Sequence, residues 1–320
     1  MRIILVGHGR MGQNHERVIR TLPQIELVAI VDPVYTSIET KAGTTYASDL
    51  QSIRNLKFDS AIVASPSTKH LETALMLAQL GVSTLIEKPL ATTPEDCETI
   101  LNAFDQSEVK CAVGHVERFN PAVIECRKLI REGKIGQLLQ ISTIRQGPNP
   151  QRIVDVGVGL DLLSHDVDLT RWICKSGYDS VYSQSWKSES SSHEDSIYVV
   201  ARLMNGVLVN HTVNWISPFK KRELVIVGTD GALYVDLLNN IVRIHHYDYG
   251  KASRDGSYRG ESTELSIIHE EPLRIEILSF LNFVSGYESD ICTLNEALEV
   301  VRVISATESS AQKRLEETIN

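Results

Sequence analysis

Strand-like and helix-like segments alternate along the first third of the chain, and this alternation constrains the fold more than any other feature. Five short, almost continuous apolar runs are typical of strands buried on both faces. They lie at residues 2–7, 25–31, 59–65, 83–87 and 109–114. Helices are predicted between them at residues 12–21, 36–43, 68–80 and 94–106. Such a chain forms a parallel sheet with helices on both faces, so we predict an N-terminal, doubly wound Rossmann domain of the α/β class.

The pattern changes after Gly114. Alternating polar and apolar segments follow at residues 138–146 and from 180 to about 247, and two helices are predicted at 272–287 and 293–316. We therefore predict a C-terminal α+β domain with an open, largely antiparallel sheet. The predicted domains are residues 1–119 and residues 120–320. An open sheet must cover its apolar face, either with those two helices or with the sheet of another subunit. We expect a homo-oligomer, a dimer or a tetramer, formed through this sheet.

Composition limits the partners. The 320 residues carry a net charge of -9, which argues against a nucleic-acid partner. No apolar run approaches the roughly 18 residues of a membrane span, and the N-terminus lacks a signal-peptide pattern. The five cysteines are scattered without metal-ligand spacing, so we expect a cytoplasmic protein and no metal site.

The turn after the first apolar run reads GHGRMG and has the spacing of a dinucleotide-binding motif. Its glycines permit a tight turn and close approach of a pyrophosphate, while the following helix supplies amide donors. The predicted cofactor-binding residues of this turn are Gly7, His8, Gly9, Arg10, Met11 and Gly12.

Asp32 follows the second predicted strand, 20 residues beyond Gly12. A carboxylate at this position accepts hydrogen bonds from ribose hydroxyls and repels a 2'-phosphate. Pro33 and Val34 come next and offer no cation for such a phosphate. We therefore predict NAD, rather than NADP, as the cofactor.

Two further strand ends are expected to face the cofactor, because ligands of such sheets bind beyond the carboxyl ends of the strands. One carries Ser65, Pro66 and Ser67, with His70 one turn into the next helix; the other carries Glu87 and Lys88. For His70, contact with the cofactor and a purely structural position remain equal alternatives.

Three segments together resemble the Gfo/Idh/MocA family of oxidoreductases. They are the Glu-Lys-Pro sequence at 87–89, GHVERFNP at 114–121 and DVGVGLDLLSHDVDLTRW at 155–172. The resemblance spans essentially the whole chain. It implies a two-domain fold, bound NAD, and catalysis by Lys88 with Asp161 and His165.

The residues themselves suit those roles. Asp161 and His165 are four positions apart on a predicted helix, so both project from one face, and a carboxylate near a histidine favours proton transfer. The alternative is a solvated helix surface, to which Asp166 and Asp168 would also belong. A metal site built from His165, Asp166 and Asp168 is not predicted, because neighbouring helical positions diverge.

For the substrate, we expect contacts from the segment after the last Rossmann strand and from two arginines that flank a Gly-Pro-Asn-Pro loop. The predicted substrate-binding residues are Lys88, Glu117, Arg118, Asn120, Arg145, Arg152 and His165. Arginine can bind a diphosphate through paired hydrogen bonds, although Arg145 and Arg152 suit an exposed surface equally well.

Together these observations predict an NAD-dependent dehydrogenase of a nucleotide-linked sugar. The family resemblance implies C3 of UDP-N-acetylglucosamine as the specific expectation. A dehydrogenase of a free sugar or inositol is the alternative enzyme. A nicotinamide-responsive regulator without turnover is the alternative of another class. The sequence leaves open whether Lys88 or His165 is the base.

Overall fold

The computed structural model describes residues 1–150, 156–247 and 261–319. Within it the chain forms two compact units, Met1–Val116 with Leu273–Val301, and Glu117–Pro272 with Arg302–Asn320. The first boundary lies three residues before the predicted one. The larger difference is that Leu273–Val301, expected in the second domain, packs with the first unit.

The strands and helices follow in chain order. The strands are β1 (Arg2–Val6), β2 (Glu26–Val31), β3 (Glu39–Lys41), β4 (Thr44–Ala47), β5 (Ser60–Val63), β6 (Ser83–Glu87), β7 (Cys111–Gly114), β8 (Leu138–Pro148), β9 (Tyr178–Trp186), β10 (Ser196–Leu203), β11 (Leu208–Asn214), β12 (Ile216–Gly228), β13 (Gly231–Asp236), β14 (Ile241–His246), β15 (Ser262–Leu265), β16 (Cys292–Thr293) and β17 (Glu317–Thr318). The helices are α1 (Arg10–Ile19), α2 (His70–Gln79), α3 (Pro94–Ser107), α4 (Pro121–Arg131), α5 (Ser164–Cys174), α6 (Pro272–Val284) and α7 (Leu294–Lys313).

The sheet of the first unit confirms the predicted Rossmann fold. Its strand order is β16-β7-β6-β5-β1-β2-β4-β3, and the six strands from β7 to β4 are parallel to one another. The chain order reverses between β1 and β5, so their carboxyl ends form the switch point at which such sheets bind ligands. The loops that carry Gly7 and Ser65 leave the sheet there.

The core of the first unit extends beyond the predicted Rossmann domain. Buried Val63 and Ile86 of the sheet share one apolar cluster with Cys292, Leu298 and Val301. The short strand β16 also pairs antiparallel with β7. These contacts explain why Leu273–Val301 belongs to this unit.

The helix predicted at residues 36–43 is wrong. Strands β3 and β4 occupy this region as an antiparallel pair, and β4 pairs in parallel with β2. Ala42 and Gly43 form the turn between them with φ of 48° and 82°. Positive φ at both central residues is the geometry of a two-residue hairpin turn. Gly43 adopts it at no steric cost, whereas Ala42 does not favour it, so strand pairing imposes the turn against local helix preference.

The second unit contains the predicted open sheet, with strand order β15-β14-β13-β12-β8-β11-β10-β9-β17. Among the described residues, neighbouring strands are antiparallel except β8 and β11, which are parallel. Helix α5 contacts β8, and α4 contacts β13 and β14. A five-residue π-helical turn, Gly159–Leu163, runs directly into α5.

One face of this sheet carries exposed apolar side chains. In β9 and β10 buried and exposed positions alternate, and Tyr182, Tyr198 and Val200 are 42%, 56% and 62% exposed. Val200 lies opposite Tyr182 in the strand register, so these side chains share one face. No helix in the described part of the chain is long and apolar enough to cross a membrane.

Candidate active site

The turn between β1 and α1 has the geometry of a phosphate-binding loop. Gly7 has φ of 92°, and a Cβ there would lie 2.5 Å from the backbone nitrogen of Ser65. A Cβ at Gly12 would overlap the carbonyl oxygen of Gly7. No described atom beyond its chain neighbours lies within 4 Å of the Cβ position of Gly9, which is the N-cap of α1. The loop thus leaves space for a pyrophosphate beside the first amide groups of the helix.

Asp32 lies directly beyond β2, as predicted. Its Oδ2 accepts a hydrogen bond from the His8 amide at 2.6 Å, and its Oδ1 accepts one from the Val34 amide at 2.9 Å. The carboxylate is half-buried, whereas Pro33 and Val34 are exposed and uncharged. Both carboxylate oxygens of Asp32 therefore accept backbone hydrogen bonds, and its role towards the ribose of the cofactor stays a prediction.

A cavity of about 380 Å³ lies next to Asp32 along the chain, and Tyr35, Lys41 and Tyr46 are among its lining residues. Lys41 is the one cation in that lining, and its Nζ lies 2.6 Å from Glu39 Oε2. The charge of Lys41 is therefore balanced locally by Glu39.

His70 joins the backbone turns that follow β5 and β6. The imidazole is buried, with Nδ1 2.8 Å from the carbonyl oxygen of Pro89 and Nε2 3.0 Å from that of Ser65. Burial lowers the pKa of His70. The hydroxyl of Ser65 is buried and has no hydrogen-bond partner among the described residues, so it is available to a ligand. Pro66 is exposed and Ser67 half-buried in the same loop.

Lys88 stands at the end of β6 and is half-buried, and a cis peptide bond links it to Pro89. The preceding Glu87 is buried, and its Oε1 lies 2.7 Å from His15 Nε2. Glu276 of α6 lies beside this pair, and the three side chains form a cluster. One ring nitrogen of His15 and one carboxylate oxygen each of Glu87 and Glu276 lie within 4.8 Å of one another. The sequence did not predict this cluster, because α6 is distant along the chain. It holds the residue that precedes Lys88.

Asp161 and His165 occupy the π-helical turn and the start of α5, and both are half-buried. The prediction of one helical segment here is confirmed. The alternative of a solvated helix surface is wrong for Asp166 and Asp168, which are each 1% exposed. Asp166 pairs with Arg145, and Asp168 pairs with Arg118.

Arg118, predicted to bind substrate, is buried against α5. Its Nη2 lies 2.6 Å from Asp168 Oδ1 and its Nε donates to Asp168 Oδ2 at 2.9 Å, a bidentate geometry. Trp172 lies beneath two cations, at 5.7 Å from Arg118 and 3.6 Å from Arg127. The structure therefore places this guanidinium in the core of the second unit rather than on an open surface.

Arg145 is likewise buried in a four-charge cluster. Its Nη1 lies 2.7 Å from Glu117 Oε1, and its Nε lies 2.9 Å from Asp166 Oδ1. Burial opposes its charge, but Asp166 and Glu117 outweigh that effect and raise the pKa of Arg145. Burial would raise the pKa of Glu117, yet Arg145 and Arg222 hold it below its ordinary value. Glu117 and Arg145, both predicted to touch substrate, therefore contact each other.

Arg222 is the member of the cluster that solvent reaches, and sequence reasoning missed it. Its side chain is 35% exposed, against 2% for Arg145, and its Nη1 lies 3.5 Å from Glu117 Oε1. Burial and the neighbouring Arg145 lower the pKa of Arg222. The missing signal was strand register, since Arg222 of β12 lies opposite Arg145 of β8.

The remaining two predicted substrate residues differ in outcome. Asn120 caps α4: its Oδ1 accepts a hydrogen bond from the Ala122 amide at 3.0 Å, and its Nδ2 donates to the Leu237 carbonyl at 3.2 Å. Its side chain is therefore engaged within the unit. Arg152 lies outside the described residues.

Two family models match most of the chain. The family's "oxidoreductase family, NAD-binding Rossmann fold" model matches residues 1–115, and the GFO/IDH/MocA C-terminal domain matches residues 123–234. The chain belongs to the Gfo/Idh/MocA family. It is an NAD-dependent oxidoreductase, which confirms the predicted cofactor and enzyme class.

Individual relatives narrow the comparison. The UDP-N-acetylglucosamine 3-dehydrogenase of Acidithiobacillus ferrooxidans is 25% identical over 295 residues, which is 91% of each chain. A solved structure of that enzyme has a TM-score of 0.84 at 22% identity and covers 98% of each chain. Inositol 2-dehydrogenase 2 of Saccharopolyspora erythraea is 28% identical over 223 residues, 66% of this Gfo/Idh/MocA chain and 65% of its own.

The solved structure of a levoglucosan dehydrogenase in complex with NADH has the same fold as this chain. Its TM-score is 0.84 at 19% identity, covering 100% of this chain and 99% of the other. The fold is thus shared by proteins whose names give different sugar substrates.

Proposed function

We propose that this Gfo/Idh/MocA protein oxidises a secondary hydroxyl group of a nucleotide sugar, with C3 of UDP-N-acetylglucosamine as the specific site. The observation that carries the proposal is the similarity to a UDP-N-acetylglucosamine 3-dehydrogenase over 91% of each chain. A match of this extent covers most of each unit, and the predicted catalytic residues come from both: Lys88 from one, Asp161 and His165 from the other.

The proposed catalytic residues are Lys88, Asp161 and His165. Bound NAD would supply the acceptor for the hydride that leaves the carbinol carbon. His165 or Lys88 takes the hydroxyl proton, and Lys88 also donates a hydrogen bond to the oxygen on which negative charge develops. Asp161 precedes His165 by one helical turn and would set the charge and tautomer of its imidazole.

The substrate's diphosphate requires a cation, and Arg222 is the proposed one. Arg118 and Arg145 are buried and bound to carboxylates, so solvent does not reach their guanidinium groups as it reaches Arg222. The charge of Arg222 is disfavoured by burial and by Arg145, and its contact with Glu117 is long. An incoming phosphate would relieve that cost through a charge-assisted hydrogen bond.

A free sugar or inositol is the second candidate substrate. Its support is the 28% identity with an inositol 2-dehydrogenase, which exceeds the identity with the nucleotide-sugar enzyme but extends over less of the chain. A neutral polyol needs no cation, so under this alternative Arg222 would only balance Glu117.

The decisive experiment follows NADH absorbance while the protein and NAD are mixed with UDP-sugars and, separately, with inositols and free sugars. Turnover of UDP-N-acetylglucosamine is expected, with little response to neutral polyols. Arg222→Gln should raise the Michaelis constant for the UDP-sugar on the order of tenfold, because a contact worth about 1.5 kcal/mol or more is lost.

The matched control is Arg54→Gln, which removes the same charge from an exposed position in the first unit. This variant should leave the Michaelis constant and kcat for the UDP-sugar unchanged. Polyol turnover without UDP-sugar turnover would refute the substrate assignment. NAD binding without turnover of any substrate would favour the regulator described above.

A further inference from the structure

The polypeptide that leads into the helix of Asp161 is held by one distant side chain, Glu194. The Gly159 amide donates a hydrogen bond to Glu194 Oε1 at 2.9 Å, and the Val158 amide donates to the Glu194 backbone carbonyl at 3.2 Å. The first amide groups of a helix lack partners within the helix and carry partial positive charge. A carboxylate at this position therefore caps the helix from outside its own sequence.

Two glycines make room for this carboxylate. A Cβ on Gly157 would overlap the carboxylate of Glu194, and a Cβ on Gly159 would lie 3.1 Å from Glu194 Oε1. The backbone of Gly157 is also part of the helix start, since the Asp161 amide donates to its carbonyl oxygen at 3.1 Å. Glycine is therefore required at 157 and 159 by the closeness of the Glu194 carboxylate, since neither residue has a positive φ.

Glu194 itself is fixed by its neighbour. Asp195 accepts hydrogen bonds through Oδ2 from the Ser188 amide at 2.8 Å and through its carbonyl oxygen from the Trp215 amide at 2.8 Å. Its own amide donates to the Trp186 carbonyl at 2.9 Å. The loop between β9 and β10 is therefore tied to the end of β9 and to Trp215, which links β11 to β12, and this anchoring sets where the Glu194 carboxylate points.

We propose that Glu194 is a positioning residue that fixes the direction in which Asp161 and His165 project toward the substrate. The inference rests on the catalytic role given to this helix under the proposed function. Asp161 is two residues beyond the capped Gly159, so loss of the cap loosens the turn that carries it. A displacement of about 1 Å can lower turnover on the order of 100-fold.

A second carboxyl group makes this cap sensitive to pH. Glu308 of α7 and Glu194 line one cavity of about 340 Å³, and Lys187 and His193 are the other charged or titratable groups in its lining. Burial first, and then the Glu194 charge, raise the pKa of Glu308 to about 7. Glu308 therefore gains its charge near neutral pH, and that charge repels the capping carboxylate.

The test compares turnover constants and amide exchange in three variants. Glu194→Ala should lower kcat on the order of 100-fold with NAD affinity unchanged and with faster hydrogen exchange at residues 158–161. Glu194→Gln should keep most of kcat, because its amide oxygen can still accept from Gly159. The control is Glu189→Gln, an exposed position in the same loop, which should behave as wild type.

A double-mutant cycle separates position from general stability. Gly157→Ala should mimic Glu194→Ala, because its methyl group displaces the carboxylate. In the Glu194→Ala background the same methyl group should cost little more, so the two losses should not add. Additive losses, or a kcat for Glu194→Ala within twofold of wild type, would overturn the proposal. So would a Glu194→Gln variant as impaired as Glu194→Ala.

The exchange measurement distinguishes this proposal from the assignment of substrate. If wild type turned over no sugar, the proposed function would fail, whereas fast exchange at residues 158–161 in Glu194→Ala would still support the cap. Unchanged exchange there would overturn the cap whatever the substrate is.

The pH arm uses Glu308→Gln. In wild type, exchange at residues 158–161, corrected for its intrinsic pH dependence, should quicken as the pH rises through about 7. The folded pKa of Glu308 exceeds its ordinary value of 4.5. The contribution of protonated Glu308 to the free energy of unfolding is therefore complete below pH 4.5, and it is lost as the pH rises through about 7. Glu308→Gln should remove this response, and a response equal to wild type would contradict the role of Glu308.

Discussion

Arg145 and Arg222 lie opposite each other on the neighbouring antiparallel strands β8 and β12, and one oxygen atom of Glu117 contacts both guanidinium groups. Two cations at paired positions repel each other unless an anion lies between them. Glu117 supplies that anion, and Asp166 supplies a second one to Arg145. The cluster therefore joins β8 to α5 through Asp166, and it joins β8 to β12 through Glu117.

Glu117→Gln should destabilise the protein by about 3 to 5 kcal/mol, because it leaves a buried guanidinium without full compensation. Urea denaturation at pH 7 measures the loss. The control Glu125→Gln removes a carboxylate from an exposed pair with Lys128 and should cost at most about 1 kcal/mol. Since the pKa of Glu117 lies below its ordinary value, wild type should also lose this contribution as the pH falls through its folded pKa. An equal cost for both variants would contradict this account.

NAD should bind much more tightly than NADP, because the half-buried Asp32 carboxylate lies where the 2'-phosphate would be. Isothermal titration calorimetry with both cofactors tests this directly. Asp32→Ser should narrow the difference by weakening NAD binding and removing the repulsion of NADP. Asp49→Ser, which removes an exposed carboxylate of the same unit, should leave the preference intact. Equal affinities in wild type would show that Asp32 does not select the cofactor.

Lys88→Ala and His165→Ala should each lower turnover by about 100-fold or more, as expected when a proton acceptor or a donor to the reacting oxygen is removed. NAD affinity, measured by fluorescence titration, should change little. Lys69→Ala is the control, because Lys69 is exposed and pairs only at the surface with Glu72. Near-normal turnover in either variant would exclude that residue from the catalytic set.

The exposed sheet face that carries Tyr182, Tyr198 and Val200 should be an interface between copies of this chain. Apolar side chains grouped on one face of an open sheet favour association. Val200→Lys should shift the mass measured by light scattering toward the monomer. Tyr287→Lys introduces the same charge at a position that is 71% exposed in the first unit, and it should leave the mass unchanged. A monomeric wild type would rule out this interface.

Local sequence was sufficient wherever local physics sets the structure. The strand at 83–87 was predicted with the bounds it has, and Thr93 caps α3 by accepting a hydrogen bond from the Asp96 amide at 3.2 Å. The glycine turn and Asp32 followed from motif spacing, because a turn, a helix start and a strand end are short-range features. The helix predicted at 36–43 failed because pairing of β4 with β2 outweighed local helix preference.

Tertiary structure decided which charged groups remain available to a ligand. In sequence, Arg118, Arg145 and Arg222 are equivalent cations, and Asp166 and Asp168 resemble a solvated surface. Folding brings α5 against β8 and buries the first two arginines with those aspartates, while Arg222 keeps part of its exposure. The contact of Glu194 with Gly159 likewise joins residues 35 positions apart. The sequence by itself determined the fold class and the cofactor turn through periodicity and spacing, whereas pairing between distant charges depends on strand register and helix packing, which only the folded chain defines.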